Sequence, residues 1–354
     1  MVCDCPCLVR GMPRRLRIAN FLMTLNNDYQ VLQRDACRAA AKRHHLALTE
    51  LSARNNANQQ LRQISECLAE PESLRPQALV VSPVAEAFLR PAAAEAARLG
   101  VGFVLLNRWC PYIEELRRAF PRVPIFTVIP DQEAIGRIQG QHFRKLLPNG
   151  GEILYITGLF HASSAQLRLA GVMRELADTD IEMVIRNGDW SVASGTQAVR
   201  DWLQKGCAPV PANCAVGAQN DRMAMGARAA LVSAAMDLQQ PGLANIPVTG
   251  CDGTPAGGQA CVTTQELCAT VVMPATADTA VNEVVKALES GQMPSPQISL
   301  DVTSFPALDL VTRPDPARPL PQSSSPRPRA TGRGSQRPHS VSTEIHRPSR
   351  PQSE

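Results

Sequence analysis

Six stretches place polar and aromatic side chains at or soon after the end of an apolar run: TLNNDY (24–29), LLNRW (105–109), SSAQLRLAG (163–171), GDW (188–190), GAQNDRMAMGA (217–227) and GCDGTP (250–255). Asn, Arg and Asp can each make two directed hydrogen bonds, and a Tyr or Trp ring offers a flat apolar wall. A polyhydroxylated ring needs this combination, because its hydroxyls both donate and accept while its C–H face is apolar. The chemistry these residues suit is therefore recognition. None of the usual catalytic signatures accompanies them: there is no Walker A loop, no G-x-G-x-x-G opening a helix after the first strand, no G-x-S-x-G elbow and no H-E-x-x-H. The six His (44, 45, 142, 161, 339 and 346) fall in no triad or metal spacing, and only His161 in GLFHASSAQ lies near the stretches above.

The elements that must position these residues are legible as an alternation. LRIANFLM (16–23), LALTEL (46–51), ALVVS (78–82), GFVLLN (102–107) and IFTVI (125–129) are apolar nearly throughout, and longer segments, most with helical apolar spacing, separate them. Continuous apolar runs of that length fit parallel strands covered on both faces, and strand taking turns with helix implies a doubly wound parallel sheet. The pattern repeats in EILYITG (152–158), IEMVIRN (181–187), CAVGAQ (214–219), IPVTGC (246–251) and CATVVM (268–273), with helices over 166–177, 192–204 and 221–235. Residues 276–288 read as a further amphipathic helix, followed by a strand-like segment near 297–303. The fold class is thus α/β, two doubly wound lobes joined by a multi-strand hinge. We expect an extension over 1–15, a first lobe from 16–130 plus 275–301, and a second from 131–274 plus 302–311. In such sheets the loops leaving the strands' carboxyl ends converge on a crevice where ligands bind.

Charge separates the ends of the chain from its body. The formal net charge is +4, yet residues 312–354 hold eight Arg against three acidic residues, so the remainder sits at −1 and offers no footprint for nucleic acid. That tail is Pro, Ser and Arg with almost no apolar residues, too little to offset its ordering entropy, and is expected to be disordered. Eleven Cys without C-x-x-C spacing indicate neither a disulfide framework nor a zinc ribbon. Cys3, Cys5 and Cys7 cluster, but no His or Cys pair stands near them. Free buried thiols suit a reducing compartment. No run at the start has the basic head and apolar stretch of a secretory signal, and none is long enough to span a membrane.

Taken together, AQND followed by M-A-x-G-A at 218–227 and D-G-T-P at 252–255 resembles the ribose-binding branch of the type 1 periplasmic-binding-protein family, over roughly residues 16–305. The resemblance implies a non-catalytic receptor without cofactor or metal, whose ligand is a small sugar-like polyol and whose lobes close on it at a hinge. It implies ligand contacts from Asn27, Tyr29, Ser82, Asn107, Arg108, Arg168, Trp190, Asn220, Asp252 and Met273. Bland readings stand beside several of these. Asn26 and Asn27 also suit a helix cap, Asp221 suits the cap of the helix after Asn220, and Asp252 suits a turn before Gly253. Three positions depart from the resemblance: Asn107 stands where close relatives have Asp, Ser82 where they have Asn, and Met273 where they have Gln. Losing the last two amides removes hydrogen-bonding capacity and adds apolar surface, which argues against ribose and towards a deoxysugar, a methylated polyol or another small ligand. The partner implied is a membrane permease or a signalling protein, and the compartment periplasmic. The Cys count and the missing signal leave a second possibility, a cytoplasmic sensor or repressor-type effector domain without its DNA-binding module.

Overall fold

Strands that are apolar on both faces need cover on both, and the chain supplies it by placing a helix after almost every strand. The computed structural model describes residues 15–205 and 213–314. β1 (Arg17–Leu22), β2 (Ala47–Ser52), β3 (Ala78–Val81), β4 (Gly102–Leu106) and β5 (Ile125–Pro130) alternate with α1 (Asp28–Arg43), α2 (Ala57–Ala69), α3 (Arg90–Arg98) and α4 (Tyr112–Ala119). After α5 (Gln132–Leu146) come β6 (Gly151–Thr157), β7 (Ile181–Asn187), β8 (Cys214–Ala218), β9 (Val248–Asp252) and β10 (Ala269–Val272), interleaved with α6 (Ser163–Leu176), α7 (Val192–Lys205), α8 (Asp221–Asp237) and α9 (Gly258–Thr263). α10 (Thr276–Ser290), β11 (Gln297–Leu300) and β12 (Thr303–Phe305) follow.

The strands form two six-stranded sheets, ordered β11-β5-β4-β3-β1-β2 and β12-β10-β9-β8-β6-β7. Side chains alternate between faces along each strand. Phe103 and Leu105 of β4 enter one core cluster of the first sheet, whereas Val104 and Leu106 enter the other. In β6 of the second sheet, Leu154 and Ile156 face α7 and α8 residues such as Val199 and Leu231, while Ile153 and Tyr155 face Phe143 and Val172. The chain passes between sheets three times, after β5, after β10 and after β11.

Two expectations need correction here. The strand-like segment at 297–303 is two strands in different sheets: β11 pairs parallel with β5, whereas β12 pairs antiparallel with β10, so the second sheet is not wholly parallel. The chain also stays ordered beyond residue 311. The Arg313 Nη1 donates to the Leu146 carbonyl at 3.3 Å and to Asn213 Oδ1 at 2.7 Å. An Arg-rich composition hid a side chain that bonds back to the fold. The expected disorder over 315–354 and the Cys3, Cys5 and Cys7 cluster lie outside the described residues. The seven Cys within them are all free thiols. Among the described residues no helix is long and apolar enough to cross a membrane.

Candidate functional site

The carboxyl ends of both sheets meet at one cavity. It is lined by Asn27, Tyr29, Ser82, Asn107, Arg108, Arg168, Trp190, Asn220, Asp252 and Met273, the ten residues expected from sequence, together with Met23, Gln30, Pro83 and Leu106. The empty space is about 530 Å³, including solvent at its mouth.

From the first sheet, Asn27 serves as the N-cap of α1, its side chain accepting from the Gln30 N–H at 3.1 Å, so the capping role and a place on the cavity wall coincide. Tyr29 donates its hydroxyl to Asn107 Oδ1 at 2.9 Å and lies 3.0 Å from the Pro274 carbonyl. Burial drives its phenol pKa upward, which keeps it a neutral donor. Gln33 fixes the orientation of Asn107: its Oε1 accepts from the Ala277 N–H, so its Nε2 must donate towards Asn107 Oδ1, 3.4 Å away. Thr276 Oγ1 also lies 3.2 Å from that oxygen. The oxygen of Asn107 is thereby committed to the protein, and its NH₂ is left as a donor. An Asp at this position would have no such donor.

Arg108 reaches from the end of β4 to Ser164 Oγ at the start of α6, with its Nε 3.8 Å from Glu86. Burial lowers its pKa from the usual guanidinium value, and Glu86 opposes that effect. Arg168, on α6, is only 4 % exposed. Its Nε donates to Gln132 Oε1 at 2.8 Å, its Nη1 to the Gln219 carbonyl, and its Nη2 meets the Met273 sulfur at 3.0 Å. Both guanidinium carbons lie over the Trp190 ring, at 5.6 and 5.8 Å from its centroid, within cation–π range.

Two glycines make this arrangement possible. A Cβ on Gly158 would lie 1.9 Å from the Trp190 indole, so the ring occupies the space a side chain would fill. A Cβ on Gly136 would sit 2.0 Å from the Arg168 carbonyl, which shows how tightly α5 and α6 pack where Arg168 emerges. Trp190 itself has φ +70°, a region that bulky residues rarely adopt.

The sequence reading placed the cap of α8 one residue too late. Asn220 is the cap, accepting from the Met223 N–H at 2.9 Å and donating to the Trp190 carbonyl at 3.0 Å. Asp221 instead turns inward, accepting from Thr270 Oγ1 at 2.7 Å and the Gly253 N–H at 2.8 Å. Burial pushes its pKa up to about 7 in spite of those bonds. Asp252, at φ +116°, accepts through its backbone carbonyl from the Met273 N–H at 3.1 Å. Burial first, and then the Asp221 charge, hold its pKa well above the carboxylate range.

Sequence reasoning missed Gln30, Gln219 and Glu86. Gln219, the Q of AQND, bridges the Gly158 N–H and the Ala165 carbonyl and so ties β8 to both flanking loops. His161 is exposed and does not line the cavity. Among the described residues no group of three His, Cys, Asp or Glu is placed to hold a metal ion.

Known proteins resemble this chain in sequence and in fold. The ribose import binding protein of Escherichia coli is 25 % identical over 255 residues, covering 72 % of this chain and 78 % of that one. The lactose operon repressor of the same organism is 32 % identical over 134 residues, 38 % of this chain and 34 % of the repressor. Among solved structures, an ABC transporter periplasmic solute binding protein from Actinobacillus succinogenes with bound D-allose superposes with a TM-score of 0.70 at 20 % identity, covering 84 % of this chain and 99 % of its own. At that identity the likeness speaks for the fold. Residues 18–293, more than three-quarters of the chain, match the periplasmic binding protein domain family. The chain belongs to that family, whose members are substrate-binding proteins of the type 1 fold rather than enzymes.

Proposed function

We propose that the cavity binds a small sugar-like polyol and that the two sheets, each with its helices, close on it as hinged lobes. The lobes are 16–130 plus 275–301 and 131–274 plus 302–311, and the contacts come from the ten residues named above. One observation supports this reading most strongly. Ser82 Oγ, Gln30 Oε1, Arg108 Nε and Trp190 Nε1 are all buried at residues lining the cavity, and none has a hydrogen-bond partner. Unpartnered buried polar atoms cost free energy, so a site that keeps both donors and acceptors unspent is matched to a ligand that both accepts and donates. Hydroxyl groups do both. Met23, Leu106, Pro83 and Met273 give the same cavity an apolar portion, which favours a deoxysugar or methylated polyol over ribose.

Closure follows from the difference in ligand contacts between the open and shut forms. The role that fits is the substrate-binding component of an ABC-type transporter, the shut surface being read by a permease. A second reading, a ligand sensor or repressor-type effector domain in a reducing compartment, is favoured by the seven free thiols and by the partial likeness to the lactose operon repressor. Fractionating the native cells and locating the protein with an antibody separates the two. The binding reading is tested by thermal shift against pentoses, hexoses, deoxysugars and cyclitols. A ligand at about 100 times its Kd should add about 2.7 kcal/mol of stability. No shift with any of them overturns the carbohydrate assignment.

A further inference from the structure

We infer that Glu86 is a latch across the mouth of the cleft and a positioning residue for Arg108, an inference that rests on the cleft being the ligand site. Glu86 opens the short 3-10 turn after β3, on the side of the first sheet, and is 8 % exposed. Its backbone carbonyl accepts from the Tyr112 hydroxyl at 3.0 Å, which ties the turn to α4. Its carboxylate points the other way. Oε1 accepts from both the backbone N–H and the hydroxyl of Ser163, each at 3.2 Å, and Ser163 begins α6 on the side of the second sheet.

A helix start needs acceptors for its first N–H groups, and a negative charge there is favoured by the helix dipole. Asn27, Asn56, Asp131 and Asn220 provide such caps from within α1, α2, α5 and α8. α6 has Ala162 at that position, which cannot. The missing cap comes instead from across the cleft. The end of α6 therefore has its protein acceptor only while the cleft is shut. In that form Arg108 is flanked by Glu86 on its own side and by Ser164 Oγ opposite, so the guanidinium that faces the cavity is held by the contact that closes it. A Glu serving its own loop alone would not direct its carboxylate to the neighbouring lobe.

The apparent Kd of a protein whose binding-competent form is partly populated scales inversely with that population. Glu86→Ala should thus weaken every sugar that binds by the same factor, about tenfold, and leave their ranking intact. Glu86→Gln keeps an acceptor for Ser163 but not the charge beside Arg108, and should fall between. Ser163→Ala removes one contact from the opposite side. Combined with Glu86→Ala it should cost no more than Glu86→Ala alone, because the two act through one contact.

The decisive measurement is small-angle scattering of the full chain without ligand. Glu86→Ala should show a larger radius of gyration than the wild type, with Glu86→Gln closer to wild type. Equal radii and equal affinities overturn the latch, as does a changed ligand ranking, which would make Glu86 a ligand contact. Scattering and the double-mutant comparison of thermal stability need no ligand, so they test the latch even if no sugar binds and the carbohydrate reading fails.

Discussion

The two sides of the cleft spend their polar groups differently. On the first side, Asn27 caps α1, and the Asn107 oxygen sits among Tyr29, Gln33 and Thr276, so these residues are braced by bonds to the protein before any ligand arrives. On the second side, Trp190 and Asp252 hold positive φ, the Trp190 N–H has no partner, and Asp252 is buried against a second carboxylate. Strain and unpaired groups persist only where surrounding structure enforces them, and they concentrate at functional sites. The first side also keeps Ser82 Oγ, Gln30 Oε1 and Arg108 Nε without partners and Asn107 at φ +62°, so its bracing is confined to Asn27, Tyr29 and the Asn107 oxygen. Both sides thus hold free energy that a ligand can release, and what sets the second apart is a strained Trp190 and two carboxylates buried together.

The largest effects come from the groups that brace the strained Trp190 and the buried charge of the second side. Arg168→Ala should abolish binding in the thermal-shift assay and lower ligand-free stability by about 3 kcal/mol, since Gln132 Oε1 and the Gln219 carbonyl lose a charged donor within a buried site. Denaturant unfolding reads the second quantity. A stability loss below about 1 kcal/mol would show that Arg168 braces nothing. Gly158→Ala comes next. The added methyl must displace the indole, so affinity should fall at least tenfold, with about 1–3 kcal/mol of stability lost to overpacking. Trp190 fluorescence should shift in the same variant, and an unchanged spectrum would contradict the close contact.

Asp252→Asn tests the two buried carboxylates by sign. Asp252 and Asp221 are both raised in the folded state, so the stability they contribute is fully present below about pH 4 and is lost as pH rises towards 7. An amide cannot ionise and should escape its part of that loss. Relative to wild type, ligand-free Asp252→Asn should gain nothing at pH 4 and gain progressively above it, by up to about 1.4 kcal/mol per pH unit. Its affinity for ligand should fall, because a carboxylate accepts from two hydroxyls more strongly than an amide oxygen does. Urea midpoints measured at pH 4, 5.5 and 7 test the sign. A constant difference across that range would mean the two carboxylates are not coupled to folding.

The sequence made the sheets legible because parallel strands buried on both faces read as unbroken apolar runs. It made the cavity legible because polar residues that interrupt such runs at their carboxyl ends stand out. It concealed features whose cause lies elsewhere in space. The antiparallel run of β12 was hidden because only its partner, β10, sets its direction. Asp221 resembled a cap because Asp at a helix start usually is one, and only Thr270 and Gly253 reveal its inward turn. Nothing in SPVAEAFL singles out Glu86, whose partner Ser163 lies 77 residues further along the chain. The uncapped start of α6 gave no signal by itself, because α3, α4, α9 and α10 also begin without a capping side chain.

The smallest expected effect tests the brace around the Asn107 oxygen. Tyr29→Phe removes a hydroxyl bonded to Asn107 and adjacent to the Pro274 carbonyl, so both lose a buried partner while the ring stays in the cavity wall. A buried hydrogen bond contributes about 1 kcal/mol, and the stability loss should be of that order. The loss should be the same across pH 5–8, since burial keeps the phenol neutral throughout. Affinity should change by less than about threefold, because Gln33 and Thr276 still hold the Asn107 oxygen and leave its NH₂ facing the cavity. Calorimetric titration of Tyr29→Phe against the best ligand of the panel measures this. A tenfold or greater loss would mean that the hydroxyl serves the ligand directly, and the Tyr29–Asn107 pair would belong with the unspent groups of the cavity rather than with its braces.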